Sequence, residues 1–272
     1  MTSNQAISPA LAPVRPGVDL VPPPFDERPS MRHTWASLSF LHWPYDPEAL
    51  QRLLPPGLVA DTHDGRAYVG LILFHLTVRP AWLPAFPWLC SFAETNVRTY
   101  VRGAAGQAGI VFLSLDAARL GAVALARASA WRLPYHWAAM RVRRDGDLVT
   151  YACRRRWPGS RDASSRVVLR IGAPYRPEEL TMLDRFLTAR WYFYTRSHRG
   201  PARTAAHHPP WRIARGAALQ IEDRLIAATG LREPDGEPLV HWAERTDALI
   251  GRPRLDRPAA TARQAPGLRP AG

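Results

Sequence analysis

The sequence predicts a β-rich α+β fold: one antiparallel β-barrel, closed or nearly so, with a few short helices. Three observations predict it. Segments with the two-residue period of a strand recur along the chain, separated by Gly, Pro or Asp turn signals. Helix-period stretches are few and none is long. Both ends, residues 1–30 and 254–272, are rich in Pro and Ala without an apolar period. They cannot bury enough surface to offset their ordering entropy and read as disordered tails. Residues 31–253 remain, the size of one compact domain.

The first strand is expected over 33–42 (HTWASLSFLH). Asp46-Pro47 then supplies an N-cap and a proline at the first helical position, and Pro55-Pro56-Gly57 stops that helix near Leu54. Asp64-Gly65 turns the chain into an apolar strand, AYVGLILFHLTVR. The next stretch, Pro80 to Pro87, holds three prolines and two large aromatics and suits a loop or the rim of a lid rather than a central strand. A strand over 92–101 (FAETNVRTYV) follows, then a Gly103–Gly106 turn and the strand GIVFLSL. Asp116 reads as the N-cap of a helix over 117–127. Extended segments follow over 129–140, through a hairpin at Asp145-Gly146-Asp147, and over 166–171. A helix is expected over 177–188, with Glu178 and Glu179 suiting its first turn. Strands are expected over 190–195 and 210–221, and Asp223 reads as the cap of a short helix ending at Gly230.

Composition narrows the function. No 18-residue apolar run and no signal-peptide layout is present, which points away from a membrane. Two cysteines, Cys90 and Cys153, lie far apart in no metal or redox motif, so a reducing cytoplasmic setting is expected. The net charge of +13 suggests nucleic acid, but all 36 basic residues are arginine and none is lysine. Such a bias writes arginine wherever lysine would serve. The densest cluster, residues 141–170 with nine arginines against three aspartates, alternates like a solvated sheet face, so nucleic acid is not the expected partner. Phosphate loops, nucleophile elbows and zinc-protease motifs are missing, and neither a metal nor a cofactor is expected. Only His207 and His208 lie close among nine histidines. Adjacent strand residues point apart, so these two read as satisfied or surface side chains.

The strand over 92–101 carries the chemistry. Its period places Phe92, Glu94, Asn96, Arg98 and Tyr100 on one face and small β-branched residues behind them. Asparagine is depleted in strands, and two aromatics bracketing an acid and a guanidinium resemble a cavity wall. A solvent face and a mutually neutralising Glu94–Arg98 pair are the structural alternatives. Within a cavity, Arg98 would clamp a carboxylate and a desolvated Glu94 would act as acid or base.

The motifs FLHWPYDPEALQRLLPPGL, DTHDGRAYVGLILFHL, FAETNVRTYV, GIVFLSLDA, LPY and HHPPW together resemble the YqjF-like bacterial family, a domain of unknown function, from about Trp35 to Pro253. The resemblance implies the acetoacetate decarboxylase-like fold, an antiparallel barrel or cone around a small polar cavity. In those decarboxylases a lysine pair follows a short helix, and one lysine forms a Schiff base with the keto acid. The comparable stretch here runs from Ala122 to Ala138, with His136 and Trp137 near the lysine positions. A chain without lysine excludes that step. The resemblance leaves Glu94 as a cavity acid.

Two functions stay open. One is an enzyme doing proton transfer on a carboxylate- or carbonyl-bearing metabolite, with Glu94 and His136 catalytic and Asn96, Arg98, Tyr100 and Tyr135 holding the substrate. The other is a non-catalytic ligand-binding or sensory domain. The expected partner is a small molecule, and a homo-oligomer is also open.

Overall fold

The computed structural model describes residues 21–82, 90–129 and 131–257. Among them the elements run β1 (Met31–Tyr45), α1 (Pro47–Gln51), β2 (Val59–Ala60), β3 (Ala67–Pro80), β4 (Ser91–Arg102) and β5 (Ala108–Ala117). Then come α2 (Leu120–Ala128), β6 (Tyr135–Asp145), β7 (Leu148–Trp157), β8 (Ser164–Pro174) and α3 (Met182–Thr188). The chain finishes with β9 (Tyr192–Ser197), β10 (Gly200–His207), β11 (Ile213–Asp223), β12 (Leu239–Ile250) and β13 (Arg254–Leu255). All thirteen strands belong to one large sheet. Most of the expected loop over Pro80 to Pro87 lies outside the described residues.

The sheet is mixed, where a purely antiparallel one was expected. β5 pairs with β6 and with β9 in parallel. The reason for the first is the connection: α2 carries the chain across, so β6 starts in the direction β5 had, which a tight hairpin cannot do. β4 pairs with both β3 and β5, so it is a central strand, and both its faces are buried.

Local signals set most boundaries. Asp46 Oδ1 accepts from the Glu48 amide at 3.0 Å, with Pro47 at the first helical position. The β6–β7 hairpin turns tightly at Gly146, whose φ of 59° suits glycine. Asp223 Oδ2 accepts from the Ile226 amide at 3.0 Å, and Gly230 ends that turn at φ 93°. The expected 177–188 helix is broken: a 3₁₀ turn covers Pro177–Glu179, and α3 starts afresh after Thr181, which caps it by accepting from the Asp184 amide at 3.1 Å. Strands β10 and β12 were not foreseen, although β12 is central and pairs with β1, β10 and β11.

Two bulges shape the inner face. The β1–β3 register shifts between Ala36 and Ser39, where Ser37 takes φ 47°. One extra residue reverses the alternation. Trp35 and, beyond the bulge, Leu38 and Phe40 therefore line the same cavity. The β4–β5 register shifts in the same way, between Val97 and Arg98 on β4, so Leu115 and Phe112 both face inward.

Residues 21–30, counted with the N-terminal tail, touch the sheet. Glu27 pairs with Arg254 at 3.2 Å and accepts from the Arg252 amide, while Phe25 packs against His207. β13, just past residue 253, pairs with β10. A chain cut to 31–253 is accordingly expected to melt several degrees lower than the full chain, since about 1–2 kcal/mol of contacts are lost. Thermal melts of the two forms check this, and an unchanged midpoint refutes it.

Candidate functional site

Glu94, Asn96 and Arg98 of β4 all line one cavity of about 110 Å³, together with Tyr135 at the start of β6. All three β4 side chains belong to residues at most 9% exposed, which excludes the solvent-face alternative. Glu94 and Arg98 do not neutralise each other either. The Glu94 Oε2 accepts a hydrogen bond from the Tyr135 hydroxyl at 2.9 Å. Burial pushes the Glu94 carboxyl up to about 8, against the Tyr135 hydrogen bond and with the Asp116 charge adding to the rise. At neutral pH the acid is therefore mostly protonated and carries a donor.

Arg98 sits differently. Its Nη2 donates to the Tyr100 hydroxyl and to the Leu187 carbonyl, both at 3.3 Å, and no carboxylate pairs with it among the described residues. Its buried Nε–H has no partner, and neither has the Asn96 Oδ1. Orphaned polar atoms on a cavity wall are costly unless something occupies the cavity.

The support for Arg98 comes from β1 and β3. His42, Gly70 and Arg98 lie in one row across three strands. A β-carbon at Gly70 would come within 3.0 Å of the His42 ring, so glycine leaves the imidazole room above the sheet. His42 Nε2 reaches the Tyr100 hydroxyl at 2.6 Å. Because that hydroxyl donates to the Leu187 carbonyl at 3.0 Å, the imidazole is the donor to it. Burial first, then the charge of Arg98, holds the His42 pKa well below its ordinary value. Tyr100 thus lies beneath Arg98 and does not itself line the cavity.

A second guanidinium, which the sequence reading missed, reaches the cavity just after α3. Arg190 donates from Nη1 to Asp61 Oδ2 at 2.7 Å and from Nε to the Phe186 carbonyl at 2.7 Å, but its buried Nη2 is unpartnered. The Arg190 and Arg98 guanidinium carbons lie 5.0 and 5.6 Å from the Tyr100 ring centre. His208 was also missed as a cavity residue. It is buried among Trp191, Trp35 and Trp211, and burial holds its pKa down at about 4, with Arg98 contributing. The adjacent pair followed by Pro-Pro-Trp was the available signal: alternation alone sends one of two neighbouring histidines inward.

His136 is placed elsewhere. It follows Tyr135 on a strand, so it points to the opposite face, away from the cavity, and its Nδ1 lies 2.6 Å from the Pro158 carbonyl. That opposite face also holds Asp116, fully buried at the end of β5, and Arg155 of β7. Arg155 binds it through two parallel bonds, Nε to Oδ1 at 2.8 Å and Nη2 to Oδ2 at 2.7 Å. Two expectations are corrected here. Asp116 is not a helix cap: β4 and β6 flank it on the sheet, and α2 begins only after Arg119, which makes no side-chain cap. And Arg155 is not part of the solvated arginine face, because the alternation of β7 places it with Tyr151 and Cys153 on the buried side, while Arg154 and Arg156 stay exposed.

Among the described residues no group of three or more His, Cys, Asp or Glu is arranged to hold a metal ion, and no helix is long and apolar enough to cross a membrane.

Comparison with known proteins agrees with this fold. An acetoacetate decarboxylase-like enzyme from Sphingomonas wittichii RW1 superposes with a TM-score of 0.57 at 14% identity, covering 84% of this chain and 93% of that one. The enduracididine biosynthesis enzyme MppR, complexed with pyruvate, superposes with a TM-score of 0.56 at 14% identity over 85% and 93%. The uncharacterized protein YqjF of Bacillus subtilis (strain 168) is 36% identical over 222 residues, 81% of this chain and 90% of that protein. A family model described as an uncharacterized conserved protein matches residues 32–247, and the chain belongs to that family, DUF2071.

Proposed function

We propose that this protein holds a small, singly charged anion bearing a carboxylate in the cavity along β4, within a sheet that closes as a barrel, and that Glu94 serves it as a protonated acid. The observation that carries this reading is the charge inside the cavity. Arg190 pairs with Asp61, a carboxylate it shares with the partly exposed Arg102, while Glu94 is mostly neutral and His208 is neutral, so the buried Arg98 guanidinium is left with no carboxylate partner among the described residues and with a free N–H. A buried cation without a partner costs several kcal/mol, and a bound carboxylate removes that cost by a charge-assisted bond. A superposable enzyme is known with pyruvate bound, which is in keeping with a carboxylate ligand. Chemistry here does not pass through a side-chain amine, since the chain has no lysine.

In the catalytic reading, Glu94 donates a proton to a carbonyl oxygen while Tyr135 orients its carboxyl and Arg98 fixes the carboxylate. One observation favours the non-catalytic reading: His136, the expected second proton carrier, faces away, and the cavity histidine His208 is held neutral. Native mass spectrometry of the purified protein tests the shared claim, with a retained carboxylate as the expected result. Turnover assays separate the two readings. An enzyme loses turnover in Glu94→Gln while still binding, and a binding domain shows no turnover in either form.

The raised Glu94 pKa has a stability consequence. The protonated form is favoured by folding, so its contribution is fully present below the ordinary 4.5 and is lost as pH rises through about 8. Over that window the protein is expected to lose on the order of 3–5 kcal/mol relative to Glu94→Gln, which cannot ionise. Denaturant titrations of both proteins between pH 4 and 9 measure this. Parallel pH profiles would show that Glu94 ionises as freely folded as unfolded.

A further inference from the structure

The cavity wall beyond Arg98 is an aromatic box. Phe40 lies under the guanidinium, whose carbon is 5.5 Å from its ring centre. Trp211 meets Phe40 edge to face at 5.3 Å and stacks on Trp35 at 5.7 Å with the planes 28° apart. His208 closes the group, 4.7 Å from Trp211 and 5.5 Å from Trp35. These four side chains line the same cavity as Arg98. They reach it only because the Ser37 bulge brings Trp35 and Phe40 to one face, and because the segment after β10 returns His208 and Trp211 beside them.

We infer that the ligand is a monocarboxylate carrying one planar ring, its carboxylate on Arg98 and its ring against Phe40, Trp35 and Trp211. This rests on the anion-binding reading above and names the class of anion. Four features support it. The Arg98 guanidinium carbon lies 5.5 Å from the Phe40 ring centre, so a carboxylate bound to Arg98 has an aromatic wall beside it. The box offers faces and edges in both stacked and perpendicular attitudes, the two arrangements a further aromatic ring favours. A cavity of about 110 Å³ suits a single six-membered ring better than a fused system. Finally, Arg98 is the cavity guanidinium that no carboxylate pairs among the described residues, and the wall of Phe40, Trp35 and Trp211 around the ring carries no charge, so a second carboxylate held against that wall would be buried without a partner.

Calorimetric titration of the intact protein with benzoate, phenylacetate, acetate, pyruvate and phthalate tests this. Benzoate or phenylacetate is expected to bind at least tenfold more tightly than acetate or pyruvate, and phthalate at least tenfold more weakly than benzoate. Trp211→Leu should lower benzoate affinity at least tenfold more than it lowers acetate affinity, with near-UV circular dichroism confirming that the variant folds. Acetate or pyruvate binding as tightly as benzoate would overturn the ring while leaving the anion site standing. Phthalate binding as tightly as benzoate would overturn the single charge. If none of these carboxylates binds, or if binding survives Arg98→Met, the anion site itself is refuted, and this inference with it.

Discussion

Asp116→Asn is expected to destabilise the protein by about 3–5 kcal/mol, and Arg155→Met by a similar amount, lowering the melting midpoint by roughly 10 °C. The two charges are almost completely buried and joined by two short bonds, so each change leaves its partner as an uncompensated interior charge. The double change Asp116→Leu/Arg155→Met removes both charges and should be milder than either single one, because well-packed apolar side chains replace buried ion pairs with little loss. Arg154→Gln and Arg156→Gln, exposed neighbours on the same strand, should stay within about 0.5 kcal/mol of the parent. Denaturant titrations of the singles, the double and the two controls measure all of this. A harmless Asp116→Asn, or a double variant worse than the sum of its parts, would show that the pair does not anchor the sheet face opposite the cavity.

Arg98→Met separates binding from stability. Loss of the charge-assisted pair should weaken carboxylate binding by about 2–5 kcal/mol, which is thirtyfold or more. The empty protein should not suffer, and should gain slightly, because methionine fills the space without an unmatched charge, keeps apolar contact with the Phe40 and Tyr100 rings in place of the guanidinium's, and gives up two long hydrogen bonds, each at 3.3 Å. Affinity and melting temperature thus move in opposite directions, a pattern that a purely structural arginine cannot produce. A variant that is strongly destabilised, or one that binds carboxylate at full strength, would remove Arg98 from the site.

How much of this was legible in the chain differs from one residue to the next. The line Glu94, Asn96, Arg98 was, because a strand alternates and an asparagine between an acid and an arginine is out of place on a solvent face. So were the Asp46 cap, the Gly146 turn and the turn held by Asp223, each decided by a few neighbouring residues. Tyr135 was named with its neighbour His136, but local pattern gave no means of choosing which of the two faces inward.

The sequence alone determined the strand periods, most turns, the absence of a lysine for Schiff-base chemistry, and the polar face of β4, since all of these depend on residue type and short-range spacing. Tertiary structure decided the rest. Asp116 has the local form of a helix cap and became half of a buried ion pair, because its partner is 39 residues away on another strand. Arg190 and His208 entered the cavity through the packing of the segments after α3 and β10, and Trp35 through a bulge that shifts the register by one residue. The physical reason is that a strand's period says which residues share a face, whereas pairing, bulges and crossovers decide what that face meets.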